Sequence, residues 1–230
     1  SRVTNRLHGR VTRLYLTPLI RSLQQVAGSH PLLTFLDSFR YPLAGEFAMV
    51  RDLAWINRVP GDWGLEVGVL SEIYRNCALR RICQADIADA YEHKHQGLSA
   101  DNAEQGLQKM CVDITKSLFR NLASEGVVLS EAVLKTLRAT YLQTAQEAIT
   151  RYQNDAAINS LQFDRHEERM AVEVFLKGMK IATEAFLDDP LGVPMISNWS
   201  RVTGAIPDIF ERLIGAVERD HEWDPVGDRV

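Results

Sequence analysis

Two glutamates, Glu46 in P-L-A-G-E and Glu66 in W-G-L-E-V-G, stand near the two ends of the stretch 41–68, each just behind a glycine. Glycine lets a backbone come close to a ligand or to another chain segment. Carboxylates in such places suggest a polar pocket rather than a plain core, and Trp63 offers an aromatic face on which a sugar ring could stack. The competing account is simpler, since acidic residues are favoured in the first turn of any helix because they oppose its dipole.

A second group is Gly9-Arg10-Val11-Thr12. A glycine, a guanidinium and a hydroxyl at the opening of a helix supply backbone N–H groups and a fork of donors to a phosphate or carboxylate. Arg2, Arg6, Arg10 and Arg13 fall at spacings of four, four and three, so on a helix they share a face, and a solvated basic stripe is the plainer account of them. His93 and His95 form the third group. Residues two apart on an extended segment face the same way and can reach one ion, although loops also carry histidine as an ordinary polar residue. His166 belongs to H-E-E-R, which lacks the second histidine of a zinc-protease helix.

The elements that must position these groups follow from periodicity. Val11, Leu14, Tyr15, Leu19, Ile20 and Leu23 predict an amphipathic helix within residues 2–25, bent or restarted at Thr17-Pro18. Residues 32–39 predict a short helix, and Leu43 to Gly45 a loop or strand end. Glu46 is expected to start a helix running to about Asn57, Pro60-Gly61-Asp62 a turn, and Glu66 to open the next helix. Residues 81–88 (RICQADIA) alternate as a strand would, delivering the chain to His93 and His95. Ligands in α/β sheets collect beyond the carboxyl ends of strands.

After Gly97 the pattern is helical, with long segments from Asp101 to about Ser124, from Ser130 to Asp155 and from Asp164 to Leu187. Ser130 caps the second, and Asp164 with Glu167 forms a capping box on the third. Ile206 to Glu218 is a last helix and the tail beyond it reads as mobile. One strand against seven or so helices is too lopsided for a complete α/β domain, so strands are expected on the N-terminal side, before Ser1.

The 230 residues, 46% hydrophobic and 24% charged, have a globular composition. The net charge of −4 and pI near 5.9 exclude binding to nucleic acid through broad phosphate neutralisation. Cys77, Cys83 and Cys111 lack both disulfide and zinc spacing, which fits reduced thiols and a cytoplasmic location. No apolar run approaches the roughly 18 residues of a membrane span, so no membrane partner is expected.

Taken in order, G-R-V-T at 9–12, P-L-A-G-E at 42–46, W-G-L-E-V-G at 63–68 and Q-A-D…H-K-H-Q over 84–96 resemble the glucosyl-3-phosphoglycerate synthases. These are retaining nucleotide-sugar glycosyltransferases, close to the mannosyl-3-phosphoglycerate synthases. The resemblance covers residues 1 to about 100 and implies a helix-rich α/β chain, the C-terminal part of a GT-A (Rossmann-like) fold with an appended helical region. Residues 1–100 would be the acceptor-side half of the catalytic domain. Residues 101–220 would be a helical region serving a possible homodimer, and 221–230 a mobile tail.

The implied reaction transfers glucose from a nucleotide diphosphate to the 2-hydroxyl of 3-phosphoglycerate, giving glucosyl-3-phosphoglycerate for glucosylglycerate synthesis. By the same resemblance Gly9, Arg10, Val11 and Thr12 bind the acceptor, with His95 beside them. Leu43, Ala44 and Gly45 contact the donor sugar, and Glu66 holds sugar hydroxyls and the reacting groups. His93 completes a Mg²⁺ or Mn²⁺ site whose other ligands lie in a preceding half. UDP-glucose is the expected donor, with GDP-glucose or GDP-mannose as alternatives. Two departures stand out: His95 occupies a position that is Asn in some members, and no D-x-D follows an apolar strand. The expectation is therefore an incomplete chain with little transferase activity alone. A mannosyl transferase and a non-catalytic helical interaction module are the alternative readings.

Overall fold

The computed structural model describes residues 5–87 and 105–222. The first helix is continuous from Arg10 to Ala27, but its opening is wound as a π-helical turn, Thr12–Leu16, before it becomes regular in α1 (Thr17–Ala27). The irregularity expected at Thr17-Pro18 is thus real, and its local chemistry is visible. Pro18 has no N–H to give to the carbonyl four residues back, that of Leu14. The Tyr141 hydroxyl donates to that carbonyl instead, at 2.8 Å. Gly28, at φ +90°, ends the helix in a conformation that L-residues avoid.

Short helices follow: α2 (Pro31–Asp37), α3 (Arg51–Ile56) and α4 (Leu65–Asn76). Helix α3 starts later than expected. Residues 46–50 are not helical, and Phe47 and Val50 are exposed, so a turn there would bury nothing to offset its nucleation cost. The strand expected over residues 81–88 is also absent as far as it is described. Leu79–Arg81 form a 3₁₀ turn, residues 82–87 have no regular structure, and residue 88 lies outside the described part. Gln84 does the work of a strand pairing with its side chain: it accepts from the Arg40 amide at 2.8 Å and donates to the Ser38 carbonyl at 3.0 Å. Alternation alone could not distinguish that from a ladder.

The long helices are α5 (Gly106–Ser124), α6 (Glu131–Ile158) and α7 (Arg165–Asp188). The expected caps form, with Ser130 accepting from the Val133 amide and Asp164 from the amides of His166 and Glu167. The C-terminal part adds α8 (Trp199–Ala205) and α9 (Ile209–Glu222). Among the described residues there is no strand, only isolated bridges pairing Arg6 with Gln162 and Val59 with Ile196.

One apolar cluster joins the two ends of the chain. Leu14, Tyr15, Leu19 and Leu23 of the first helix are buried against Leu137, Tyr141 and Ile149 of α6 and Phe175 of α7. The Tyr15 ring lies 5.6 Å from that of Tyr141 and 5.3 Å from that of Phe175, and its hydroxyl meets Thr115 of α5 in a close contact. The opening of the first helix is consequently fixed by three long helices, so what it presents is held on a rigid support.

Candidate functional site

Gly9 sets the entry to the first helix. It sits at φ +70°, and its carbonyl accepts the Arg13 amide at 2.9 Å. The amides of the first turn, from Arg10 onward, are those that a helix cannot satisfy internally. A second reason for glycine is the Tyr41 ring: a Cβ at position 9 would come within 2.9 Å of it. Thr12, buried on the same turn, lies near the Tyr41 hydroxyl. Its Oγ1 is a buried hydroxyl with no partner among the described residues. Backbone amides at a helix start and an unsatisfied hydroxyl together make a site suited to an anion's oxygens.

Tyr41 links this opening to the two glutamates. Burial raises its pKa, the nearby Thr12 hydroxyl lowers it, and the negative charges of Glu46 and then Glu66 raise it further. The structure therefore gathers Gly9, Thr12, Tyr41, Glu46 and Glu66 into one neighbourhood from three separate parts of the chain. Tyr41 was not among the residues singled out for chemistry from the sequence, and nothing local in R-Y-P marks it. The Ala44 amide closes a turn on the Tyr41 carbonyl at 3.1 Å, Leu43 packs on the core, and a Cβ at Gly45 would meet nothing within 4 Å.

The glycines around Glu66 bring the backbone close to other chain segments rather than to open space. A Cβ on Gly64 would fall 2.6 Å from the Ser117 Cβ of α5, and one on Gly68 would fall 2.3 Å from the Pro60 ring. They serve close packing of α4, whereas Gly45 faces open space. Glu66 itself is half-buried in the first turn of α4. Its pKa is raised by burial, and a hydrogen bond from its own amide only partly opposes this.

Glu72, six residues along the same helix, gives the contrast. Burial pushes its pKa up, but bonds from the Arg58 side chain and amide outweigh that, with Arg75 adding to them, so its carboxyl sits below the usual range. Arg58 and Arg75 each reach it at 3.0 Å. Glu72 is an internal tie; Glu66 carries its burial with no cation among the described residues to offset it. Glu46, five residues ahead of α3, is outside any first turn, so helix-dipole relief does not account for it.

Arg10 is placed differently from the solvated stripe considered above. Its Nε is 3.3 Å from Glu168 Oε1 and its Nη2 is 3.2 Å from Glu167 Oε2, both on α7. Arg13 is buried and shares Glu168 at 3.4 Å while its Nε donates to the His8 carbonyl at 2.8 Å. Only Asp164's half of the expected capping box forms, because the Glu167 carboxylate turns to Arg10. This pairing across about 155 positions has no signature in either local sequence. His93 and His95 lie outside the described residues, and among the described ones no group of three or more His, Cys, Asp or Glu could hold a metal ion. No helix there is long and apolar enough to cross a membrane. The open cavity of ≈ 560 Å³ between α2, α4 and residues 79–84 is lined by none of the expected site residues.

The chain is 51% identical over 224 residues to the glucosyl-3-phosphoglycerate synthase of Persephonella marina, and 42% identical over 215 residues to that of Methanococcoides burtonii. These alignments take in 97% and 93% of the chain, but 55% and 52% of the two relatives. The chain thus spans about half the length of the curated relatives it matches. No family model and no solved structure matches it. The family resemblance read from four short motifs extends over nearly the whole chain.

Proposed function

We propose that this chain supplies the acceptor side of a retaining glycosyltransferase that passes glucose from a nucleotide diphosphate to the 2-hydroxyl of 3-phosphoglycerate. The observation that carries this reading is the 51% identity to a glucosyl-3-phosphoglycerate synthase across 97% of the chain. The helix opening at Gly9–Thr12 supports it, since its first-turn amides and the buried Thr12 hydroxyl suit an anion's oxygens.

In this reading the first-turn amides, Arg10 and the unpartnered Thr12 hydroxyl hold the acceptor's phosphate and carboxylate, orienting its 2-hydroxyl toward the sugar. Leu43, Ala44 and Gly45 present backbone to the donor sugar, where the open space at Gly45 leaves room for it. Glu66 binds sugar hydroxyls. Its raised pKa reflects a carboxylate lacking strong partners, which suits a group that awaits hydroxyl donors, and no covalent role is assigned to it. His93, with Mg²⁺ or Mn²⁺, and His95 near the acceptor belong to the proposal through the family resemblance.

The GT-A fold, the division at about residue 100, a cytoplasmic location and a UDP-glucose donor are parts of the same proposal. So is a homodimer, for which an exposed apolar stripe on α9 speaks.

Calorimetric titration of the chain with 3-phosphoglycerate tests the acceptor site. Binding should be weakened about tenfold or more in Arg10→Ala, since charge-assisted bonds contribute ~1.5–3 kcal/mol, and less strongly in Thr12→Ala. Equal binding by both variants and the wild type would remove the basis for the proposal. Assay with UDP-glucose and a divalent ion should show little or no turnover by these 230 residues alone.

A further inference from the structure

We infer that Glu167 sets the affinity of the site for its anionic acceptor, because its carboxylate competes for the Arg10 Nη2 with which the acceptor would pair. The inference rests on the acceptor-binding role proposed for Arg10.

A phosphate or carboxylate pairs best with guanidinium through two parallel N–H···O bonds, and one of the edges it can use is Nε with Nη2. On Arg10 that edge is taken, Nε by Glu168 and Nη2 by Glu167; while Glu168 stays on Nε, an anion is left the end-on pair Nη1 and Nη2, of which Glu167 holds Nη2. The two occupants are not equivalent. Glu168 has a side chain only 8% exposed and is shared with Arg13. Arg13 is fixed in turn by the His8 carbonyl and lies 4.8 Å over the Tyr152 ring. Releasing Glu168 would strand charge in a buried place. The Glu167 side chain is 52% exposed, and water can solvate it once released. An exposed ion pair of this kind is weak and sensitive to salt.

The local field acts in the same direction. Two carboxylates from the opening of α7 thus face a guanidinium that must accept a further anion. Glu167 is the one that can turn away. The acceptor's apparent affinity is then its intrinsic affinity reduced by the fraction of time Glu167 is off Arg10. Glu168, in contrast, anchors Arg10 whether or not acceptor is present.

The test is calorimetric titration of the chain with 3-phosphoglycerate, comparing wild type with Glu167→Gln, Glu167→Ala and Arg10→Ala. Glu173→Gln, an exposed carboxylate further along α7, serves as a charge control. Both Glu167 variants should bind tighter than wild type, by up to about fivefold, the upper end for one exposed ion pair, with little change in the control. Their advantage should shrink as salt is raised. Arg10-dependent binding that is unchanged or weaker in both Glu167 variants overturns this inference while leaving the acceptor site standing. Absence of Arg10-dependent binding in every protein overturns both.

Discussion

Two glutamates six residues apart on α4 show why residue type alone does not identify a site. Glu72 is buried and held by two arginines, whereas Glu66 is half-buried with no cation paired to it among the described residues. The pH dependence of stability separates them. For Glu66 the folded pKa lies above the ordinary value of 4.5, so the native state binds the proton more tightly than the unfolded chain does. Stability from this group is present below 4.5 and is lost as pH rises through the folded pKa. Glu66→Gln should therefore be more stable than wild type at neutral pH, with the difference fading in acid, in urea titrations across pH 4 to 7. A constant difference across that range would mean that burial of the charge is not what raises Glu66. Glu72 has the opposite sign, its contribution being lost as pH falls through its depressed pKa. From the sequence, Glu66 could be singled out by its setting, but the packing purpose of its glycines could not be read. Arg10 could be found, but not its partners, because a pairing between residues 10 and 167 has no local trace.

At the scale of elements, the long helices were legible, and the short helices and connections less so. The core stripe of the first helix and the caps at Ser130 and Asp164 follow from side chains within a few positions of one another, which is the range over which periodicity and capping operate. The start of α3 and the supposed strand at 81–88 depend on what lies opposite, and for those the sequence pattern is ambiguous. Glycines divide in the same way. Gly64 and Gly68 both have ordinary negative-φ backbone, so their need for hydrogen at Cα is set by Ser117 and Pro60. Gly64→Ala and Gly68→Ala should each lose about 1–3 kcal/mol through overpacking, measured by urea denaturation. Gly45→Ala, with nothing near its Cβ, should stay within about 0.5 kcal/mol of wild type. Its effect should appear instead in donor binding once the chain is studied in a form that binds nucleotide sugar. A destabilised Gly45→Ala together with unaffected Gly64→Ala would reverse the assignment of packing and site glycines.

On the scale of the whole molecule, the C-terminal helices carry apolar surface that the described chain does not cover. Phe210, Leu213, Ile214 and Val217 are exposed at spacings of three, one and three, which puts them on one face of α9. Trp199 stacks on Phe210 with ring centres 5.5 Å apart, and Trp55 lies 5.8 Å from Phe210, extending the surface toward α3. A stripe of this size on a helix that packs little against the core is costly in water unless something covers it. A second copy is the occupant proposed above, and it makes a definite prediction. Sedimentation equilibrium should show a dimer whose dissociation constant rises at least tenfold in the double variant Leu213→Glu, Ile214→Glu, while the unfolding transition of the monomer is little changed, because neither side chain belongs to the buried cluster. Dimers that persist in the double variant would place the interface elsewhere. A wild type that is monomeric at every concentration would leave α9 with another partner, and the homodimer would have to be abandoned.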